Sequence, residues 1–314
     1  MLTRFNAFIQ KWIALLTPLS LIIGVLLGEM GTHFLFLIPW FFAFMTFTGA
    51  LGMDFKDFRM VVKYPGAILL SILFLHILMP VWGYMLATVL LDDALLTIGF
   101  TLAVAVPTGV TSIIWVTITR GNLPLALSIV LLDTLLAPLI LPLILVVVAG
   151  TAVTIDSTSL IMGLLWMIVL PTLVGILMNE VTRGKVKDTW GSRLAPFSKI
   201  SLLLIIMING SVIAPYLQNF SWEIISILLL VLFITLSAYA FALVTGHYLL
   251  EEPSIVTTFT YNVGMRNISV GVVIATAYFP PKVAMPVVFC MLFQQLIASF
   301  ASRGMIRYQT YRNG

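Results

Sequence analysis

The sequence predicts an all-helical, polytopic membrane protein that crosses the bilayer about ten times. Composition is the first reason. Hydrophobic residues make up 61% and charged residues only 9% of the 314 positions, with a mean hydropathy of +1.13, whereas a soluble domain carries roughly 25% charged residues. Length is the second reason: a span takes about 20 residues, so this chain holds roughly ten spans and leaves no room for a soluble domain.

Ten apolar runs, separated by polar residues, glycine and proline, predict the individual helices. They cover residues 12–28, 34–53, 64–91, 94–119, 123–148, 160–178, 200–216, 222–249, 254–279 and 283–302. The first run lacks a small-residue cleavage site, so we interpret it as a span and not as a cleaved signal.

The basic residues are distributed unevenly between the two sides of this arrangement. Of the 16 Lys and Arg residues, 14 fall in the connections on one side, Lys282 falls on the other side and Arg266 falls within a span. By the positive-inside rule, this bias predicts cytoplasmic termini and a multi-pass protein of the plasma or inner membrane. The net charge of +4 therefore reports topology, and we expect the lipid bilayer, not nucleic acid, as the partner.

Each predicted half of the chain contains an odd number of spans. Residues 1–150 and 151–314 each hold five, so the halves have opposite orientations and form two inverted five-helix repeats of a single membrane domain. The fourth span of each half carries a polar, glycine-containing interruption, at 106–112 and at 262–269. Paired interruptions in corresponding places point to a binding site near the midplane of a secondary transporter.

Arg266 lies inside the second interruption, together with two asparagines and a glycine. An ionisable group in hydrocarbon costs at least about 2.5–3.5 kcal/mol, so such a residue marks a functional site by default. The alternative is a local kink with the arginine buried against a carboxylate.

Four short motifs together resemble the bile acid:sodium symporter family. They are Pro-x-Gly-x-x-Ser at 107–112, Arg-Gly-Asn at 120–122, Leu-Leu-Ala-Pro at 135–138 and Asn-Val-Gly-Met-x-Asn at 262–267. The resemblance covers essentially the whole chain and is that of a divergent, prokaryotic-type member. It implies a core and a panel domain, with the fourth and ninth helices crossing at unwound centres. It also implies two sodium ions behind the crossing and an organic anion in front of it.

Several positions depart from the sodium-coupled members of that family. Those members carry glutamate where this chain has Asn262 and glutamine where it has Arg266. Their other sodium ligands align with the apolar residues Leu75, Ile113, Ala126 and Val130. Oxygen-preferring cations find no ligands on such side chains, and Ser112 is among the few groups that remain. We therefore expect degraded sodium sites, Arg266 as a fixed cation and no resident metal or cofactor.

Asp133 is the only carboxylate well inside a predicted span, three residues beyond Val130 and so on the same helical face. Because a buried arginine almost always pairs, we hypothesise an Asp133–Arg266 ion pair. Two interpretations stay open. The pair is a structural link between helices, or Asp133 titrates and couples transport to protons. If transport is coupled neither to sodium nor to protons, the protein is a uniporter or an exchanger.

The predicted solute-binding residues cluster around the two interruptions. Helix N-termini favour anions, and Asn267 faces the solute in the resembling family. Glutamines in mid-span are costly unless they face a cavity or a partner helix. The predicted set is Thr108, Gly109, Thr111, Asn267, Gln294 and Gln295.

No set of side chains in the sequence predicts catalysis, so we expect a protein that is not an enzyme. A hydroxyl–histidine–carboxylate set and a Gly-rich phosphate loop are both missing, and the single Cys290 excludes an internal disulfide. His76, in mid-span before Met79-Pro80, is either a proton relay or a neutral histidine hydrogen-bonded beside the proline kink.

Taken together, these features predict a secondary active transporter of a small organic anion that works by alternating access, with one chain as the functional unit. Two alternatives remain: an efflux carrier of the related arsenite or auxin type, and a ligand sensor that uses the same fold.

Overall fold

The computed structural model describes residues 2–150, 153, 155–217 and 221–313, and their regular secondary structure is helical apart from one isolated bridge. Besides the short helices Glu29–Thr32, Phe55–Phe58 and Arg59–Lys63, the helices are α1 (Leu2–Leu27), α2 (Leu35–Ala50), α3 (Pro65–Leu91), α4 (Ala94–Ala105), α5 (Ser112–Ile118), α6 (Leu123–Ala149), α7 (Ser157–Val181), α8 (Lys187–Leu217), α9 (Trp222–Leu249), α10 (Pro253–Gly264), α11 (Ile268–Tyr278) and α12 (Pro281–Arg312). This confirms the predicted all-helical fold.

Six of the described helices, α3, α6, α7, α8, α9 and α12, are long and apolar enough to cross a membrane individually. Helix α1 has two arms, Arg4–Ile13 and Leu15–Leu27, which meet at 76° and together form a seventh candidate. Helices α2, α4 and α11 are apolar but shorter. The chain is therefore a multi-pass membrane protein, and the count of ten spans stays a prediction.

The helices pack against one another in two groups. Helix α8 packs along α1 and α2, and α2 also packs on α7; α4 lies against α3, α6 and α12, while α10 lies against α9. Glycine makes the closest of these approaches possible: a Cβ on Gly24 of α1 would stand 1.9 Å from the Met207 carbonyl oxygen of α8. The predicted boundary between the halves, 150/151, stays a prediction, because residues 151, 152 and 154 lie outside the described part.

Helix α3 contains a π-helical turn, Phe74–Leu78, in which the Met79 N–H donates to the Phe74 carbonyl five residues back. The next residue, Pro80, has no N–H and cannot donate to the corresponding Leu75 carbonyl. Single π-turns are frequent at functional sites. The turn leaves the Leu75 oxygen available to a group from another helix.

The two interruptions predicted from sequence are real breaks in the helices. Helix α4 ends at Ala105 because Pro107 follows: Val106 adopts the extended conformation that a residue before proline prefers, with φ −59° and ψ 148°. Helix α10 ends at Gly264, and Met265 is extended, with φ −114° and ψ 117°. Helices α5 and α11 then begin at Ser112 and Ile268.

Candidate solute and ion site at the helix crossing

Segments 106–111 and 265–267, which we call the crossing, pair with each other through their backbones. Thr108 and Arg266 form an antiparallel bridge. The Gly109 N–H donates to the Met265 carbonyl at 2.9 Å, and the Asn267 N–H donates to the Pro107 carbonyl at 2.7 Å. Because backbone groups freed inside a membrane must find partners, the two breaks satisfy each other.

Two neighbouring residues, Thr108 and Gly109, allow the two segments of the crossing to lie close together. The Thr108 hydroxyl lies 2.7 Å from the Asn262 carbonyl oxygen and 3.0 Å from that of Met265. Gly109 has no side chain that would hold the two segments of the crossing apart: a Cβ there would stand 2.8 Å from the Arg266 carbonyl oxygen. The sequence at the first break therefore permits a backbone approach that a larger residue would prevent.

Asn262 is fully buried, and its side-chain amide has partners at both ends. Its Oδ1 accepts a hydrogen bond from the Ser112 hydroxyl at 2.8 Å, and its Nδ2 donates to the Ala126 carbonyl at 3.5 Å. The amide thus uses its oxygen on one helix and presents hydrogens to another.

Asp133, on α6, is fully buried and lies against both the crossing and α3. Its Oδ2 accepts the Thr108 N–H at 2.6 Å, and its Oδ1 lies 2.6 Å from Nε2 of His76. The second contact has an ion-pair distance, although the ring N–H direction is not that of a hydrogen bond. Nδ1 of His76 has no hydrogen-bond partner among the described residues.

Arg266 is buried and makes contacts on both sides of the crossing. Its backbone N–H donates to Gln294 Oε1 at 2.9 Å, and its Nη1 donates to the Leu75 carbonyl at 3.4 Å, the oxygen that Pro80 leaves without a helical donor. Nη2 has no hydrogen-bond partner among the described residues.

The hypothesised ion pair between Asp133 and Arg266 is not formed. Among the described residues Asp133 has one ion-pair contact, with His76, and its charge acts on Arg266 only at longer range. The hypothesis was wrong because the Thr108 N–H and His76 occupy the carboxylate, while the guanidinium reaches a carbonyl freed by the π-turn. Only the position of His76 before Met79-Pro80 in the sequence offered a signal for this contact.

A cavity of about 400 Å³ opens in front of the crossing. Five of the six predicted solute-binding residues line it: Gly109, Thr111, Asn267, Gln294 and Gln295. Thr108 lies behind this surface, is 1% exposed and uses its hydroxyl on backbone carbonyls. Its direct contribution to solute binding stays a prediction. Gln295 is itself oriented by Trp115, whose ring N–H donates to Oε1 at 3.1 Å.

The charged residues that line this cavity are all basic. Lys187 and Lys199 of α8 contribute to its wall, as does Arg266, and the described lining includes no aspartate or glutamate. Lys199 is held by Asn6 of α1, whose Oδ1 accepts from Nζ at 2.7 Å. In the sequence, both lysines indicate only topology, and their place in the cavity wall becomes apparent in the fold. Such a lining attracts anions and repels cations.

A different charge cluster lies at the N-terminal ends of α4, α9 and α12. Nζ of Lys282 stands 2.7 Å from Asp93 Oδ2 and 2.6 Å from Glu223 Oε1. Partial burial would raise the pKa of Asp93, but hydrogen bonds from Lys282 and the Leu96 N–H outweigh burial and hold it below the ordinary 3.8. This cluster joins three helices away from the cavity. Within the described part of the chain, no three His, Cys, Asp or Glu residues group as metal ligands.

Comparison with known proteins agrees with the resemblance carried by the motifs. Residues 39–220 match the Sodium Bile acid symporter family. The chain is 40% identical over 296 residues to the uncharacterized protein YbaS of Bacillus subtilis (strain 168), covering 94% of this chain and 97% of that protein.

More distant relatives have names that state a function. The uncharacterized sodium-dependent transporter YocS of the same organism is 22% identical over 282 residues, with 88% of this chain and 87% of that protein covered. The probable sodium/metabolite cotransporter BASS1, chloroplastic, of Oryza sativa subsp. japonica is 26% identical over 237 residues, with 75% and 57% covered. These names indicate a transporter and not an enzyme. With more than half of its length matched, the chain belongs to the sodium bile acid symporter family.

Proposed function

We propose that this protein is a secondary carrier of a small organic anion that works by alternating access, with Arg266 as a fixed cation in place of a bound sodium ion. The observation that carries the proposal is the cavity, which ends at two broken helices and whose described lining contains three basic residues and no acidic one.

The closed end of the cavity supports an anionic solute. Asn267 precedes α11, an 11-residue helix whose first turn faces the crossing, and a helix N-terminus carries about half a positive elementary charge. Gln294 and Gln295 add polar groups, and Lys187 and Lys199 add positive charge along the wall. A carboxylate at the crossing with an apolar body toward α2 and α8 fits this distribution.

The positions that correspond to sodium ligands in the resembling family do not fit sodium here. Sodium needs several oxygen atoms that face one point. Asn262 directs its Nδ2 hydrogens at the Ala126 carbonyl, and Arg266 directs a guanidinium at the Leu75 carbonyl. Both arrangements place donors where a cation would need acceptors, which supports transport without sodium.

The paired breaks also support the finer architecture. If α4 with α5, and α10 with α11, each count as one broken span, the chain has the ten spans and inverted repeats predicted from the sequence. Lys187 and Lys199 lie in the segment that the charge bias assigns to the cytoplasm. The cavity then opens inward, and both termini are cytoplasmic.

The test is uptake of labelled pantoate and labelled taurocholate into proteoliposomes, with sodium replaced by potassium. We expect uptake of at least one of these anions at rates that differ by less than about twofold between the two cations. Empty liposomes give the background. Lys11→Gln, an exposed change on α1, is the control for an uptake that should not depend on a surface substitution. Steep sodium dependence would contradict the substitute-cation part of the proposal.

The second candidate is a sodium/solute cotransporter. The names of two relatives favour it, because they describe a sodium-dependent transporter and a sodium/metabolite cotransporter. The same assay separates the two candidates. Failure of both labelled anions to enter under every cation condition would count against both, and would favour an efflux carrier or a ligand sensor.

A further inference from the structure

We infer that the His76–Asp133 pair is a proton-binding site and that the proton takes the coupling role that sodium has in relatives of this chain. The inference rests on the proposed transport function, since a bound proton is coupled to a solute only in a carrier. Neither the family membership nor the names of the relatives assign a site to these residues.

The geometry of the pair points to a group that holds and releases a proton. Nε2 of His76 and Oδ1 of Asp133 are 2.6 Å apart, and both side chains are buried. The contact has an ion-pair distance without hydrogen-bond geometry, so a proton on the ring is stabilised by the charge of the carboxylate. Nδ1 of the ring has no partner among the described residues, and it is the atom free to accept a second proton.

The surroundings make the doubly protonated ring tolerable. On α6 the charged residue facing the ring is Asp133, and at the break after α10 it is Arg266. Helix α4 contains no acidic or basic residue, and Tyr261 is the titratable residue of α10. Asp133 and Arg266 offset each other, so an added proton gives the group a net charge of +1, which a monovalent anion in the cavity balances.

A backbone contact connects the pair to the solute cavity. Asp133 also accepts the Thr108 N–H at 2.6 Å, and the next residue, Gly109, lines the cavity. With no added proton, this buried carboxylate is a negative charge close to the place proposed for the anion. A proton on His76 offsets that charge, so proton and anion favour each other's binding by the same factor.

The helix that carries His76 has a local reason to hold the ring there. The π-turn adds one residue to the helical turn, and His76 lies at its centre. The Arg266 guanidinium is anchored to the adjacent Leu75 carbonyl. The same turn thus holds both the guanidinium and the imidazole ring, a few residues before Pro80.

The first experiment measures the proton directly and needs no solute. The full-length protein, labelled with ¹⁵N-histidine in lipid nanodiscs, contains three histidines, and His76→Gln identifies the signal of His76. We expect the Nδ1 resonance to move to the protonated position when the sample is acidified, and to lose that shift in Asp133→Asn. A His76 ring that keeps a single proton at every pH at which the protein stays folded would overturn the inference.

The second experiment measures coupling. In sodium-free proteoliposomes, uptake of labelled pantoate and taurocholate is compared with and without an outside-acid gradient of about two pH units. We expect the gradient to accelerate uptake about tenfold in the wild type and less than about twofold in His76→Gln. His33→Gln, an exposed histidine on the chain's surface, is the matched control and keeps the full response.

The two arms separate the possible failures. A titrating His76 with no uptake of either anion leaves the proton site standing and counts against the proposed function. Uptake that ignores the pH gradient in the wild type overturns the coupling role, whatever the histidine signal shows.

Discussion

At the first break, between α4 and α5, the freed backbone is held by an anion: the Thr108 N–H donates to the buried Asp133 carboxylate. At the second break, between α10 and α11, the chain itself brings a cation, because Arg266 donates its backbone N–H to Gln294 and its guanidinium to the Leu75 carbonyl. The crossing therefore joins one break stabilised by a negative charge to another that carries a positive charge.

This difference supports the proposal that groups of the chain take the place of a mobile cation. A bound cation would need acceptors at both breaks, whereas this chain supplies a guanidinium at one and an amide NH₂ at Asn262. In the proposed carrier, neither charge needs to be taken up from water during a conformational change. The predictions below alter one break at a time, beginning with the largest expected effect.

Arg266→Gln removes the positive charge from the second break. We expect sodium-independent anion uptake to fall about 100-fold, since the coupling between a site and its ligand covers this range. Arg303→Gln, an exposed arginine on α12, is the control for the change in side chain and keeps wild-type uptake. Uptake of Arg266→Gln within twofold of the wild type would show that the fixed cation is not used.

Asp133→Leu removes the anion from the first break and leaves both the Thr108 N–H and the His76 ring without their partner. Breaking a buried pair in this way costs about 3–5 kcal/mol, so the midpoint of thermal unfolding in detergent should fall markedly. Asp188→Leu changes an exposed carboxylate and serves as the control. An unchanged midpoint for Asp133→Leu would mean that the carboxylate does not stabilise the first break.

Gly109→Ala separates the two breaks by steric means alone. Its Cβ would stand 2.8 Å from the Arg266 carbonyl oxygen, and overpacking of this kind costs about 1–3 kcal/mol. We expect lower thermal stability and slower anion uptake. Gly304→Ala, where no atom lies within 4 Å of the new Cβ, should change neither measurement, and equal behaviour of the two variants would contradict the close contact.

Lys199→Gln leaves both breaks intact and lowers the positive charge of the cavity wall. We expect a severalfold higher KM for the anion with little change in maximal rate, and a difference that shrinks at high ionic strength because salt screens the charge. A reduced maximal rate with an unchanged KM would indicate that the lysine acts on conformational change and not on anion binding.

Lys282→Met changes a cluster that touches neither break, so its effect should be the smallest. Because its partner Asp93 has a lowered pKa, the contribution of Asp93 to stability is present above the ordinary value of 3.8 and is lost as pH falls through the lower folded-state value. We expect at most about 1 kcal/mol of destabilisation near neutral pH and none near pH 2. The measurement is chemical unfolding at both pH values.

The sequence predicted the membrane fold and both breaks because these follow from local chemistry. Pro107 lacks an N–H and restricts the residue before it, and Gly264 lies beside polar side chains, as a broken membrane helix needs. Five of the predicted solute-binding residues line the cavity. The predicted Asp133–Arg266 ion pair was wrong because its formation depends on packing between helices. Helical periodicity gives the face on which a carboxylate lies, but not which group of another helix contacts it.

The π-turn in α3 could not be predicted either. Pro80 signals a disturbed helix, yet a kink and a π-turn both relieve the missing N–H. The choice between them decides whether the Leu75 carbonyl is available to Arg266. The contact between Arg266 and the turn that carries His76 depends on that choice, and so it could be found only in three dimensions.

The two opposite charges buried at Arg266 and Asp133 also have an electrical consequence. A membrane potential of 100 mV acts on one elementary charge with about 2.3 kcal/mol, enough to trap a singly charged empty carrier on one side of the membrane. In the proposed carrier, a guanidinium and a carboxylate that move together cancel, so the voltage exerts no net force on the unloaded helices. We therefore expect the return step of such a carrier to proceed at the same rate in an energised and in a depolarised cell.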